Sequence, residues 1–211
     1  GMMLALMWKI LGKSLWVSHF MMLPFLLGIV FLLHQLGEHY LGKGKSVYLL
    51  LLISVDPFFI GQSILVSPDI VLVFGWLLAL WSIIFGRRNV LIVATLLLAA
   101  VSMRGMMLVF SLFLFEIYRQ YQDKLTRTSF WKIFFSYLPS GFFALTFFFL
   151  HYRHTGWIGY HEASPWATAF ERVDFRGVLW NTSLLGWRLL DFGRVFLWLI
   201  IGWGCIKVIN G

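Results

Sequence analysis

Residues 15–36 read LWVSHFMMLPFLLGIVFLLHQL, a stretch that contains no Asp, Glu, Lys or Arg. A helix of about 20 mostly apolar residues crosses a bilayer core about 30 Å thick. Pro24 and Gly28 are tolerated in such a helix because neighbouring helices satisfy the freed backbone groups. The stretch therefore predicts a membrane-spanning helix.

The composition of the whole chain has the same character. Of its 211 residues, 60% are hydrophobic and 12% are charged, and the mean hydropathy is +0.84. About a quarter of the residues of a soluble domain are charged. The composition excludes a soluble enzyme and predicts an integral membrane protein surrounded by the lipid bilayer. The single cysteine, Cys205, excludes a disulfide bond within the chain.

Other apolar runs of similar length predict further spans. We place them at 46–66, 69–85, 133–150 and 195–211, with two more between residues 90 and 118. As a single helix, residues 90–118 would be about 45 Å long and would leave basic loops on both sides of the membrane. The positive-inside rule favours two helices that meet at Arg104. The prediction is an all-α transmembrane bundle of about seven spans, with short interfacial helices, forming one domain over residues 1–211.

The 17 Lys and Arg residues lie in small groups between the apolar runs and give a net charge of +8. This arrangement is typical of a signal that orients a membrane protein, so no nucleic-acid partner is predicted. The cytoplasmic side is predicted to hold Lys43, Lys45, Arg87, Arg88, Arg119, Lys124, Arg127 and Lys132. The extracytoplasmic side then holds Ser67, Arg104 and a loop over residues 151–176.

Two segments mix apolar residues with charges at helical spacing, which predicts helices lying in the membrane interface. Residues 2–14 carry Lys9 and Lys13, and residues 179–194 follow the external loop. The region 151–194 is therefore predicted to be an external loop plus an interfacial helix. Lysines on such a helix suit contact with anionic headgroups or an anionic substrate.

Ionisable residues in or beside the membrane are candidates for function, because they cost free energy in hydrocarbon unless they are paired or hydrated. Asp69 directly follows a serine and a proline. It either only stabilises a helix N-terminus or has this role and faces a substrate as well. Arg104 is either an interface anchor or a clamp for phosphate. Asp56-Pro57 lies within a span, where a structural role in helix pairing is favoured. Glu116 and Arg119, one turn apart, are interpreted as interface anchors.

The external loop begins HYRHTGWIGYHEASPW and is rich in aromatic and ionisable side chains. Such a loop suits a carbohydrate or a lipid headgroup, because aromatic faces stack on sugar rings and polar groups supply hydrogen bonds. The candidate substrate residues are His151, Arg153, His154, Trp157, Tyr160, His161 and Glu162. A metal site formed by the three histidines and the glutamate matches no zinc spacing, so no metal site is predicted.

Four short motifs carry a family resemblance: Asp56-Pro57-Phe58, Ser67-Pro68-Asp69, Gly86-Arg87-Arg88 and Ser102-Met103-Arg104-Gly105. With them, the segment from residue 23 to residue 107 resembles the GT-C type integral membrane glycosyltransferases, in the group of protein O-mannosyltransferases and lipid A aminoarabinose transferases. The loop HTGWIGYHEASPWATAFERV is similar to that of bacterial members.

The resemblance implies transfer of a sugar from a polyprenyl-phosphate donor to an acceptor, on the extracytoplasmic face of a bacterial inner membrane. Asp69 matches the acid of the second external loop and is implied to be catalytic. Arg104 lies where the family places a basic residue near the donor phosphate, and Lys9 and Lys13 add positive charge there. The resemblance assigns no cofactor and leaves open whether a divalent cation takes part. It identifies neither the sugar nor the acceptor.

The family's first external loop carries an acid, and no Asp or Glu occurs here before Glu38. We therefore expect the chain to be a fragment that lacks this loop. Two other classes of function stay open on the sequence alone. One is a transporter or flippase for an anionic lipid-linked substrate, which would also use Asp56 and the scattered arginines. The other is a non-catalytic membrane subunit.

Overall fold

The computed structural model describes residues 2–122, 127–158, 161, 173–190 and 194–209. Within these ranges the regular structure is entirely α-helical, which confirms the all-α class. The helices are α1 (Met2–Leu11), α2 (Leu15–Leu41), α3 (Ser46–Ser54), α4 (Pro57–Ile64), α5 (Pro68–Ile84), α6 (Arg88–Val101), α7 (Met103–Gln122), α8 (Arg127–Thr155), α9 (Phe175–Leu190) and α10 (Val195–Ile209).

Two of the described helices are long and apolar enough to cross a membrane: α2, and α8 over Ser129–Thr155. This is fewer than the about seven spans predicted from the sequence. One reason is that the predicted span 46–66 divides into α3 and α4 at Asp56, directly before Pro57. Another is length, since α5 has 17 residues and α6 has 14. At 1.5 Å per residue they reach only about 25 Å and about 21 Å.

Serines begin several helices. The Ser14 hydroxyl accepts a hydrogen bond from the Val17 N–H at the start of α2. The Ser67 hydroxyl likewise accepts a hydrogen bond from the Asp69 N–H at the start of α5. Ser102 separates α6 from α7, because its backbone is extended and its hydroxyl accepts from the Gly105 N–H. Residues 90–118 therefore form two helices, as predicted, with the break just before Arg104.

The core is built around α5 and α6. Leu91, Ala94 and Leu98 of α6 are fully buried. Gly105 of α7 packs directly against the Leu98 carbonyl, where a Cβ atom would overlap the backbone. On its other face, α5 packs against a second apolar cluster that includes Ile29 of α2. The α6–α7 hairpin is consequently held close by backbone contact.

The two ends of the bundle are defined by contacts between helices. The His39 ring lies 5.2 Å from the Phe85 ring, which brings the ends of α2 and α5 together. Arg119 Nη1 donates to the Ile83 carbonyl oxygen at 3.2 Å. Lys43, Lys45, Arg87 and Arg119 thus lie at the same end, which we call the basic end.

The opposite end, which we call the Ser67 end, holds α1, the end of α4 and the starts of α5 and α7. The His19 Nε2 atom lies 3.0 Å from the Ile64 carbonyl oxygen, and Trp8 Nε1 donates to the Ser18 hydroxyl at 3.0 Å. These bonds hold the beginning of α2 against α1 and α4.

The outward faces of the helices are largely apolar. Phe110, Phe142 and Leu145 are among many large apolar side chains that lie exposed. Soluble proteins rarely expose contiguous apolar patches of this kind. Together with the two long apolar helices, this surface is typical of a protein that associates with a membrane. The predicted helix at 179–194 is present as α9, which has no buried residue, and it ends at Leu190.

Candidate functional site

Asp69 and Arg104 meet at the Ser67 end. Asp69 lies in the first turn of α5, where its backbone N–H donates to the Ser67 hydroxyl and that hydroxyl donates to Asp69 Oδ2, both at 3.1 Å. Arg104 lies in the first turn of α7, and its Nη1 atom is 3.3 Å from Asp69 Oδ1. The two residues, which are far apart in the sequence, form an ion pair between two helix starts.

The pair lies near the surface. The Asp69 side chain is 35% exposed and the Arg104 side chain is 71% exposed. Exposed ion pairs contribute only about 0–1 kcal/mol to stability, because water screens them and the side chains lose freedom. Arg104 can therefore exchange this carboxylate for another anion at small cost. The contact places Asp69 and Arg104 together, as a shared site requires, while their catalytic and phosphate-binding roles stay predictions.

An apolar cavity of about 480 Å³ adjoins the pair. Pro68 and Val101, which lie just before Asp69 and Arg104 in the sequence, are part of its wall. The rest of the wall consists of apolar residues of α1, α2, α5, α6 and α8, together with Val66 just before α5. An apolar chain fits such a space.

A second cavity, of about 380 Å³, lies on the other side of the α5 start. Asp69 lines it together with Asp56, Gln62 and the Trp76 ring, and its other lining residues are apolar. Both carboxylates therefore border the same space. Asp69 thus lies in the wall of the second cavity, while its sequence neighbour Pro68 lies in the wall of the first.

The sequence predicted that Asp56 needs a partner, and the structure supplies Arg194. The Arg194 Nε atom lies 3.3 Å from Asp56 Oδ2, and Nη2 lies 3.4 Å from Oδ1. Asp56 Oδ1 also accepts from the Phe59 N–H at 3.1 Å, so the carboxylate caps α4 as well. The pairing residue stands 138 positions later in the chain. No local pattern connects the two, so sequence analysis missed it.

Lys9 and Lys13 lie at the same end as the pair but apart from it. Helix α1 packs on α2, and its Leu4 helps to line the larger cavity. Both lysines are exposed, and neither forms an ion pair within the part of the chain that the structure describes. The structure therefore does not bring them into contact with Asp69 or Arg104.

The predicted substrate loop begins later than expected. His151, Arg153 and His154 belong to the last turns of α8, which continues to Thr155. The helix then ends at Gly156, whose φ is +79°. A boundary at residue 151 was wrong because the apolar run ends there, whereas the residue that ends the helix is this glycine.

Aromatic rings gather where α8 ends. The Trp157 ring lies 4.8 Å from the His151 ring and 5.4 Å from the His161 ring, and the His151 ring stacks on Phe147 at 6.1 Å. Tyr160 and Glu162, also predicted for the substrate loop, lie outside the described residues. In the described ranges no group of three His, Cys, Asp or Glu residues is arranged to hold a metal ion.

Glu116 is buried, and its interpretation as an interface anchor is wrong. Its side chain forms an ion pair with Arg88, and the Tyr137 hydroxyl donates to its Oε2 atom at 3.0 Å. The residue faces the junction of α6, α7 and α8, where 4% of it is exposed. Arg119, one turn later, instead lies on the surface of the basic end.

No family model, curated protein or solved structure matches this chain. The resemblance to GT-C type glycosyltransferases therefore rests on the four short motifs and the external loop quoted above. Two of those motifs contribute the Asp69–Arg104 pair, and a third contributes Asp56.

Proposed function

We propose that the chain is a membrane segment of a glycosyltransferase that transfers a sugar from a polyprenyl-phosphate donor. One observation carries the proposal: an exposed arginine, Arg104, is paired with a carboxylate, Asp69, beside an apolar cavity of about 480 Å³. A polyprenyl-phosphate sugar has the matching parts, namely an anionic head, a sugar and an apolar chain.

In this proposal the chain is an integral protein of a bacterial inner membrane. Helices α2 and α8 each cross the bilayer, and α3 with α4 form one broken span. The helices α5, α6, α7 and α10 complete the about seven spans, the shorter ones meeting a locally thinner bilayer. The positive-inside rule places the basic end in the cytoplasm. The Asp69–Arg104 pair then faces the extracytoplasmic side, with α1 and α9 lying in the interface.

The donor binds through two kinds of contact. The guanidinium of Arg104 presents a fork of N–H donors that matches phosphate oxygens. The apolar cavity receives the first units of the prenyl chain. Lys9 on α1 and Lys13 in the turn between α1 and α2 add positive charge at the same membrane face. Since the Asp69–Arg104 pair is exposed, the donor phosphate displaces the carboxylate from Arg104 when it binds.

Transfer then follows with the freed carboxylate. The acceptor hydroxyl oxygen forms a bond to the anomeric carbon of the sugar while the bond from that carbon to the phosphate oxygen breaks. The electron pair stays with the departing polyprenyl phosphate, whose negative charge Arg104 stabilises. Asp69 orients the acceptor hydroxyl and takes its proton. The ring cluster of His151, Trp157 and His161 contributes stacking surfaces for the sugar.

One observation favours a second candidate, a transporter or flippase for an anionic lipid-linked substrate. Transporters commonly use broken membrane helices whose break lines a substrate cavity. The break between α3 and α4 carries Asp56, which lines the 380 Å³ cavity and pairs with Arg194. A non-catalytic membrane subunit would use the same lipid-binding site without transfer.

Binding of matched lipids tests the proposal. The purified chain in micelles is titrated with a polyprenyl-phosphate sugar and with the corresponding polyprenol, which lacks phosphate and sugar. We expect Arg104→Ala to weaken binding of the phosphate lipid by roughly 10–100-fold and to leave polyprenol binding unchanged, since hydrogen bonds to charged groups contribute about 1.5–3 kcal/mol.

The matched control removes an exposed arginine from α9, Arg176→Ala, and should leave both affinities unchanged. Equal loss in the two variants would show that the lipid responds to net charge and would contradict the proposed site. Movement of the labelled lipid between the leaflets of vesicles that contain the purified chain would favour the transporter instead.

A further inference from the structure

The basic end carries a set of exposed cations. Lys43, Lys45, Arg87 and Arg119, which we call the inner cationic surface, are all exposed to the surroundings. None of the four takes part in an ion pair among the residues that the structure describes. Lys43 and Lys45 lie in the turn after α2, and Arg87 lies in the turn after α5. The His39–Phe85 ring contact joins these two turns, so the three cations belong to one surface. Arg119 bonds to α5 beside them.

Two acids lie at this end among the residues that the structure describes. Glu38 receives hydrogen bonds from the Ser46 hydroxyl at 2.6 Å and from the Gly44 N–H at 2.9 Å. Glu116 is buried and bound by Arg88 and Tyr137. Neither acid forms an ion pair with the four exposed cations. These cations outnumber the acids, so the described part of the inner cationic surface keeps a net positive charge.

The start of α6 adds to this charge. At the Ser67 end, α2, α5 and α7 begin with a serine side chain that accepts a backbone hydrogen bond. Helix α6 instead follows Arg87, whose side chain makes no capping bond. A cation at a helix N-terminus is unfavourable because both carry positive charge, and a bound anion offsets that cost.

Aromatic rings lie at the same level as the cations. The Phe85 ring lies 5.2 Å from both the His39 and the Trp81 rings, and Tyr40 packs against His39 at 4.9 Å. Tyrosine and tryptophan favour the membrane interface, where one part of the ring system is apolar and the other meets water. A membrane interface at these rings brings the cations to the level of the lipid headgroups.

We propose that the inner cationic surface binds the headgroups of anionic phospholipids. Two features determine this partner: net positive charge, which selects a phosphate group, and adjacent aromatic rings, which select a phosphate attached to a membrane lipid. The site lies at the opposite end from Asp69 and Arg104, so it is separate from the proposed donor site. A basic side chain at the surface of an anionic membrane contributes roughly fivefold to binding.

The experiment counts bound lipids. The purified full chain, in micelles of a phosphocholine detergent, is titrated with phosphatidylglycerol, and native mass spectrometry records the number of lipids retained at each concentration. We expect Lys43→Gln/Arg87→Gln to weaken binding by roughly 25-fold, as two cations are lost. The charge-matched control Arg176→Gln/Arg188→Gln, on α9, should change it less than about twofold. Lys43→Arg/Arg87→Lys, which keeps both charges, should retain binding.

Three results would overturn the proposal. Equal loss in the two glutamine variants would show that only net charge counts. Loss in Lys43→Arg/Arg87→Lys at an unchanged helical circular dichroism spectrum would show that positive charge at these two positions does not account for the binding. Displacement of phosphatidylglycerol by an equal concentration of inorganic phosphate would show that the surface binds the free anion and not the lipid.

Discussion

The Tyr137 hydroxyl donates a 3.0 Å hydrogen bond to Oε2 of Glu116, whose other oxygen is bound by Arg88. This arrangement joins α6, α7 and α8 through one buried carboxylate. Burying a charge is unfavourable unless it is paired and hydrogen-bonded, and here both conditions are met. The three helices consequently depend on one another at this point.

The first prediction concerns that carboxylate. Glu116→Ala should lower the free energy of unfolding by about 1–3 kcal/mol, because it leaves the buried Tyr137 hydroxyl without its partner, whereas the Arg88 side chain, 40% exposed, regains water. Tyr137→Phe should cost only about 1 kcal/mol, since it removes one hydrogen bond. Thermal unfolding in identical micelles measures both. Arg119→Ala, one turn along the same helix, is the control, and a loss there as large as in Glu116→Ala would contradict the prediction.

The second prediction separates catalysis from binding at the Ser67 end. In a preparation with glycosyl-transfer activity, Asp69→Asn should reduce turnover by about 10²–10³-fold, since the amide cannot take a proton or stabilise positive charge. Donor affinity should stay the same or rise a few-fold, because a competitor for Arg104 is gone. Steady-state kinetics and lipid titration measure the two quantities. Unchanged turnover would leave Asp69 with its helix-capping role alone.

The third prediction concerns orientation. With Cys205 replaced by serine, single cysteines at Gln122 and Thr155 are treated with a membrane-impermeant reagent in intact cells. Thr155→Cys should react from outside and Gln122→Cys only after the cells are opened, because the proposed topology places the basic end in the cytoplasm. Reaction of both from outside would refute the topology.

The fourth prediction tests the close approach of α6 and α7. Gly105→Ala should destabilise the fold by about 1–3 kcal/mol, because its Cβ meets the Leu98 carbonyl and the hairpin must open. Gly141 in α8 is the matched control, since a Cβ there meets nothing within 4 Å. Gly141→Ala should be neutral or stabilise by about 0.5–1 kcal/mol. Similar unfolding midpoints for the two variants would argue against the packing.

Features encoded by neighbouring residues could be predicted from the sequence. Ser67-Pro68-Asp69 marks the start of α5 because cap, proline and acid act within one turn. The division of residues 90–118 was predicted from the distribution of charge, and Ser102 caps the second helix at that break. The apolar segments themselves were recognised, but span length was not, since the end of an apolar run at His151 is not the end of the helix, which continues to Thr155.

Partners that are distant in sequence could not be predicted. Glu116 was expected to lie at the interface because Arg119 stands one turn away, yet it pairs with Arg88 and Tyr137 from two other helices. Its burial depends on which face of α7 turns inward, and apolar residues on several faces leave that undecided. Asp69 and Arg104 were assigned to one face of the membrane, but their direct contact follows from how α5 and α7 pack.

The pair between Asp56 and Arg194 has a consequence for the order in which the chain assembles. Asp56 leaves the ribosome 138 residues before its partner. At about 5–20 residues per second, that interval is on the order of ten seconds. The junction of α3 and α4 therefore acquires this bond only when the start of α10 has been made, so the broken helix reaches its final arrangement near the end of synthesis.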